Sequence, residues 1–125
     1  MGQLSPSFDP APISVASTDI DTVIHDLINC VKKFKCPADL DFLANQANGL
    51  LLVNNAKNKP FIIQLRKIDR LRTRLAKIPT YDDERLEAKH KAASTAIGRT
   101  LYRMKEYQLK LYDRYAEEQD IDSTA

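Results

Sequence analysis

The sequence has no tryptophan and only three glycines, Gly2, Gly49 and Gly98. Sheet proteins draw on glycine for their tight turns, so this scarcity favours helices. Two cysteines, Cys30 and Cys36, and two histidines, His25 and His90, lack the spacing of a zinc site. The cysteines read as reduced thiols, which suits a cytoplasmic or nuclear protein. No run of about 18 apolar residues exists, so no membrane span is expected. The first residues, MGQLSPS, lack the basic and apolar regions of a signal peptide, and Pro6 stands where a myristoylation start wants Ser or Thr. Nor is there a strong excess of one charge. A net charge of +2 over 125 residues sets up no global field for a nucleic acid or an anionic membrane. No glycine-rich phosphate loop is present, and the paired acids Asp82–Asp83 are explained by helix capping. The expectation is therefore no enzyme, no catalytic residue, no metal and no cofactor.

What remains is helical periodicity. Residues 1–17, with three prolines and no period, read as a disordered tail. Thr18–Asp19 then offers an N-cap before Ile20, Val23, Ile24, Leu27, Ile28, Val31 and Phe34, steps of three and four that fill one face of a helix over about 19–34. Pro37 suits the first turn of a second helix carrying Leu40, Leu43, Ala47, Leu50 and Leu51. Pro60 restarts the chain into a third helix with Phe61, Ile62, Leu65, Ile68, Leu71, Leu75 and Ile78. In the stretch IPTYDDER, Pro79 biases Ile78 away from helical angles, and Thr80 can cap a fourth helix with Asp83 three residues on. That helix runs from about 81 to 117 on Leu86, Ala93, Ile97, Leu101, Met104, Leu111 and Tyr115, and residues 119–125 fray.

The pattern predicts one domain over 18–118, an all-α, up-down antiparallel bundle of three to four helices with a long C-terminal helix. Reflection about Pro79 brings Pro60 opposite Arg99, beside Gly98, where a small residue would let two backbones approach.

Binding, not catalysis, is the functional expectation. The third helix carries Arg66, Lys67, Arg70, Arg72, Arg74 and Lys77 against Asp69 alone. Arg66, Arg70 and Arg74 recur every four residues and so share one side. With Lys77, Arg85, His90 and Lys91 they would meet an acidic protein surface, unless they form only a solvated face. A second class is a structural subunit that pairs its last helix with a partner helix through Met104, Tyr107, Leu111 and Tyr115. Nucleic acid ranks last, because no aromatic residues interleave with the basic ones to stack bases.

From about residue 61 to 105 the chain resembles the BAG domain, a three-helix co-chaperone module. The likeness lies in an apolar-basic helix ending LAKIPTYDDERLEAKHK and in the following AASTAIGRTLYRMK. The resemblance implies docking on the nucleotide-binding domain of a DnaK-type heat-shock chaperone and faster ADP release. The family's basic pair falls on His90 and Lys91. Lys91 matches, whereas His90, Ala76 and Gly98 stand where the family carries an arginine, an acid and a glutamine.

Overall fold

The computed structural model describes residues 10–42 and 52–124, and they form three α-helices in chain order: α1 Pro10–Lys33, α2 Lys59–Ala76 and α3 Glu84–Thr124. The architecture is all-α, as the periodicity predicts.

α1 starts at Pro10, not at Asp19, so residues 10–17 of the expected tail are helix. Pro10 and Pro12 lie in the first turn, where backbone N–H groups have no helical partner and proline's missing donor costs nothing. Residues 1–9 lie outside the described residues. Thr18, expected as the cap, is mid-helix, and its carbonyl accepts a hydrogen bond from Thr22 Oγ1 at 3.0 Å. Ala16, Ile20, Val23 and Leu27 form the buried stripe. Lys32 and Lys33 complement the negative end of the helix dipole.

The helix expected from Pro37 does not form over residues 37–42. Its remaining positions, Leu43 to Leu51, lie outside the described residues. Leu40 and Phe42 are buried on either side of the half-buried Asp41. That alternation belongs to an extended chain. Asn58, fully buried, takes the place of a pairing strand. Its Oδ1 accepts from the Asp41 N–H at 2.8 Å, and its Nδ2 donates to the Asp41 carbonyl at 2.9 Å and to the Val53 carbonyl at 2.8 Å. Residues 34–42 thus form a strap.

α2 begins with Pro60 in its first turn, and Asn58 occupies the N-cap position with its side chain committed to the strap. Phe61, Gln64, Ile68, Leu71 and Leu75 face the core. The helix closes with the Lys77 N–H on the Arg74 carbonyl and the Ile78 N–H on the Leu75 carbonyl, before Pro79.

The link to α3 differs from expectation in its capping residue. The Asp83 N–H donates to the Thr80 carbonyl at 2.9 Å, and Tyr81 and Asp82 between them have φ of 52° and 56°. Two successive left-handed residues make a type I′ turn. The helix starts at Glu84, with Asp83 preceding it and accepting from the Glu87 N–H at 2.9 Å. Thr80 supplies the turn, and Asp83 takes the capping position. α3 extends 41 residues, about 61 Å, and its backbone stays helical through Thr124 where a frayed tail was expected from 119.

Contacts fix an up-down-up order. Asp26 and Cys30 of α1 meet Arg74 and Gln64 of α2, an antiparallel pairing. Leu75 and Phe61 of α2 meet His90 and Tyr107 of α3, again antiparallel. Lys89 near the start of α3 reaches Ser17 and Asp21 in the first half of α1, both at 2.7 Å. The core is built from Ile20, Val23, Phe61, Ile68, Leu75, Leu86, Ala93 and Ile97, with Leu101, Met104 and Leu111 further along.

Gly98 does not sit at a close approach, since a Cβ added there would meet nothing within 4 Å. Phe61 stacks on Tyr107, about two helical turns beyond Arg99. The segment from Lys77 to Asp83 has length of its own, so it is not a point of reflection. Beyond Tyr107, α3 has outrun α2, and the strap covers it instead. Phe42 packs edge-on to Tyr112 at 5.3 Å and against Tyr115 at 5.5 Å, and the Tyr107 hydroxyl donates to the Pro37 carbonyl.

Candidate functional site

The basic residues of α2 divide between two grooves. Four residues per step advance a side chain by 400°, so an every-fourth series drifts about 40° each time. Arg66 consequently lines the groove between α2 and α3, with Leu65, Asp69, Gly98 and Tyr102. Arg70 and Arg74 line the groove between α1 and α2, and the expected single stripe of Arg66, Arg70 and Arg74 is corrected on this point. Steps of three and four drift far less, and Lys67, Arg70 and Arg74 follow that spacing. All three face the α1/α2 groove.

This groove has a volume of about 690 Å3. Its floor is apolar, from Phe34, Pro60, Ile63 and Leu71. Ile63 is 39 % exposed, a large apolar side chain left open among cations. Lys33 enters from the last turn of α1 and joins Lys67, Arg70 and Arg74. Among the described residues one of the four cations is paired: Arg74 meets Asp26 of α1 at 2.8 Å. Asp69, the sole acid of α2, is engaged by Arg72 on the other flank. Lys33, Lys67 and Arg70 have no acidic partner among the described residues. Lys33 escapes the sequence reading because Lys32–Lys33 at a helix end is already explained by the dipole. Only the antiparallel packing of α1 on α2 brings it to the same site.

The other expected contact residues do not extend this surface. Lys77 is exposed in the C-cap position of α2. Arg85 and Lys91 are exposed on α3, but six residues put them about 120° apart around the helix, so they share no face. His90 is half-buried, with Nε2 at 2.7 Å from the Leu75 carbonyl. A carbonyl only accepts, so Nε2 carries the proton and the ring closes the end of α2. It is a packing residue, and its expected partner-binding role is corrected accordingly.

The strip Met104, Tyr107, Leu111 and Tyr115 faces inward. Met104 and Leu111 are buried, and Tyr107 and Tyr115 pack against the same core under the strap. Its aromatic character serves the bundle's own lower half. The large apolar side chains of α3 that lie open, among the described residues, are Tyr102 and Leu109 instead.

At the strap's edge lies a second polar cluster. Lys57 Nζ reaches Asp39 at 2.9 Å and Asp41 at 3.3 Å, and Asn55 Nδ2 donates to Asp41 at 2.7 Å. The hydrogen bond from Lys57 holds the Asp39 carboxyl below its usual value, against a smaller opposing effect of burial. The same bond raises Lys57, with Asp41 adding to it. Two carboxylates share one ammonium, and Arg114 also acts on Asp39, so the charges of this cluster are spent on one another and it reads as a fastening of the strap.

Among the described residues, no group of three or more His, Cys, Asp or Glu side chains is placed to hold a metal ion, and no helix is long and apolar enough to cross a membrane. Cys30 and Cys36 are both free thiols. No family model, no curated protein and no solved structure matches this chain.

Proposed function

We propose that this chain is a non-enzymatic protein-binding module, an adaptor whose α1/α2 groove receives an acidic partner. The observation that carries the reading is the set of three unanswered cations, Lys33, Lys67 and Arg70, around an apolar floor on which Ile63 stands open. Desolvated apolar contact supplies affinity, and the flanking charges supply orientation and encounter rate. The free thiols support a reducing compartment, cytoplasmic or nuclear.

The likeness of residues 61–105 to the BAG domain makes the nucleotide-binding domain of a DnaK-type heat-shock chaperone the first partner to test. An up-down three-helix bundle is consistent with it. With His90 committed to Leu75, docking of that kind would fall to Lys91 and to the cations of α2.

The test is affinity purification with the full chain, beside the double variant Lys67→Glu/Arg70→Glu. This pair is cleaner than one that includes Arg74, because Arg74 also holds Asp26. The partner should be captured by the wild type and lost by the variant while the circular-dichroism spectrum stays helical. Added chaperone nucleotide-binding domain should bind and release ADP faster. No capture of the domain and no effect on ADP release would remove the chaperone reading. A captured partner retained in full by the variant would remove the groove. Binding that instead falls steeply with salt, about one logarithmic unit per phosphate contact, and needs nucleic acid would favour the nucleic-acid reading.

A further inference from the structure

We infer that the occupant of the α1/α2 groove is one amphipathic, acidic helix of the partner, about four turns long, lying as a fourth rod against the three-helix bundle. The inference rests on the protein-binding reading of the same groove and names the kind of segment that fills it.

The groove runs between two antiparallel helices, so its walls are helix ridges. Such a valley accepts another helix by ridge-into-groove packing, and bundles of four are its natural completion. A peptide that binds by adding a strand would need a sheet edge, and no strand is present among the described residues. Length follows from the lining. Pro60 to Arg74 spans 14 residue steps of α2, or about 21 Å, which a helix of about 14 residues matches.

Charge selects the occupant's chemistry. Cations stand on both walls, Lys33 on α1 and Lys67 with Arg70 on α2, so acids are wanted on both flanks of an apolar stripe. Near Arg74 the demand ends, because Asp26 already answers that guanidinium. Two segments of this chain outside the described residues do not fit the charge. Residues 43–51, LANQANGLL, contain no acid, and residues 1–9 contain only Asp9. A second copy placed groove to groove would bring like charges together. The occupant therefore carries leucine-like residues at i, i+3 or i+4, and i+7, set against Ile63 and Leu71, with Asp or Glu beside them.

A displayed library of 16-residue peptides, randomised over helix-forming apolar, acidic, basic and amide residues, tests this against the immobilised full chain. Enriched sequences should combine a helical apolar stripe with net negative charge. Their binding should fall at least tenfold with Lys67→Glu/Arg70→Glu, and amide shift changes should centre on Asn29, Lys33, Ile63, Lys67 and Arg70. No enrichment, enrichment without acids, or equal binding by the double variant would overturn the inference. So would equal binding of an oligoglutamate of the same length, because then charge alone suffices. Ile63→Asp is a second variant on the exposed floor, and it should abolish peptide binding without charge reversal on the rim. If partner capture is lost with Lys67→Glu/Arg70→Glu but no acidic helix is selected, the binding surface stands and the helical occupant is wrong. Capture that survives the variant strikes the underlying reading instead.

Discussion

Replacing Asn58 with alanine removes three hydrogen bonds at a point where water cannot replace all of them. Asn58 is fully buried, and its side chain serves the Asp41 N–H, the Asp41 carbonyl and the Val53 carbonyl. At about 1 kcal/mol net for each bond, the loss is about 3 kcal/mol, and any of these backbone groups left dry costs more. Against a domain stability of about 5–15 kcal/mol this is a large fraction. The damage should also be local. Asn58 ties the strap to the start of α2, and the strap covers Tyr112 and Tyr115 through Phe42. Urea unfolding measures the total, and native-state hydrogen exchange measures its distribution. Protection should fall most from Tyr107 to Tyr115 of α3, and least at the other end, where His90 holds the Leu75 carbonyl. A loss below about 1 kcal/mol, or an even loss along α3, would refute the reasoning. The strap would then be held by apolar contact alone.

Three further substitutions probe other parts of the fold. Gly98→Ala should stabilise by about 1 kcal/mol in urea unfolding, because Gly98 is mid-helix and a Cβ there meets nothing within 4 Å; destabilisation would mean that the α2/α3 groove is tighter than described. Tyr81→Asn with Asp82→Gly should stabilise by about 1 kcal/mol, because both positions hold left-handed φ and the pair is the preferred type I′ sequence; a loss would place the Tyr81 ring in a contact that matters. Asp39→Asn should lower the urea midpoint at neutral pH by a small amount. The folded Asp39 titrates below its usual 3.8, so its contribution is present above that value and disappears as pH falls through the lowered one. The gap between wild type and variant should therefore close in acid, and a gap that persists there would assign the effect to something other than ionisation.

Much of the bundle was legible because apolar residues at steps of three and four specify which face of a helix is buried. Phe61, Ile68, Leu71 and Leu75 on α2, and Leu86, Ala93, Ile97 and Leu101 on α3, all lie inward as the pattern requires. Proline was ambiguous. Pro10 and Pro12 open α1, yet the sequence reads them as a broken tail, because a proline within the first turn and a proline outside a helix look alike. Pro37 invited the opposite error. A helix start was expected there, but Leu40 and Phe42 alternate, and the partner that fixes their extended backbone is Asn58, which no local pattern identifies. Register between α2 and α3 was hidden for a similar reason. It depends on the left-handed turn at Tyr81–Asp82, and neither residue advertises positive φ as glycine would.

The candidate site was half legible. The richness of α2 in arginine was plain, and Arg70 and Arg74 do share a groove. Arg66 was misassigned by a spacing of four that drifts around the helix. Lys33 was missed because it comes from another helix. Tyr107, Tyr112 and Tyr115 of α3 look like interface anchors in sequence, and they are anchors, but for the strap of the same chain.

On the proposed reading, partner binding resides in the cations of the α1/α2 groove and not in the basic character of α2 at large. Quantitative capture by three full-length forms tests it most directly: wild type, Lys67→Glu/Arg70→Glu, and Arg66→Glu on the opposite flank. The account predicts loss with the double variant and near-complete retention with Arg66→Glu. Comparable loss in both, or loss with Arg66→Glu alone, would contradict it.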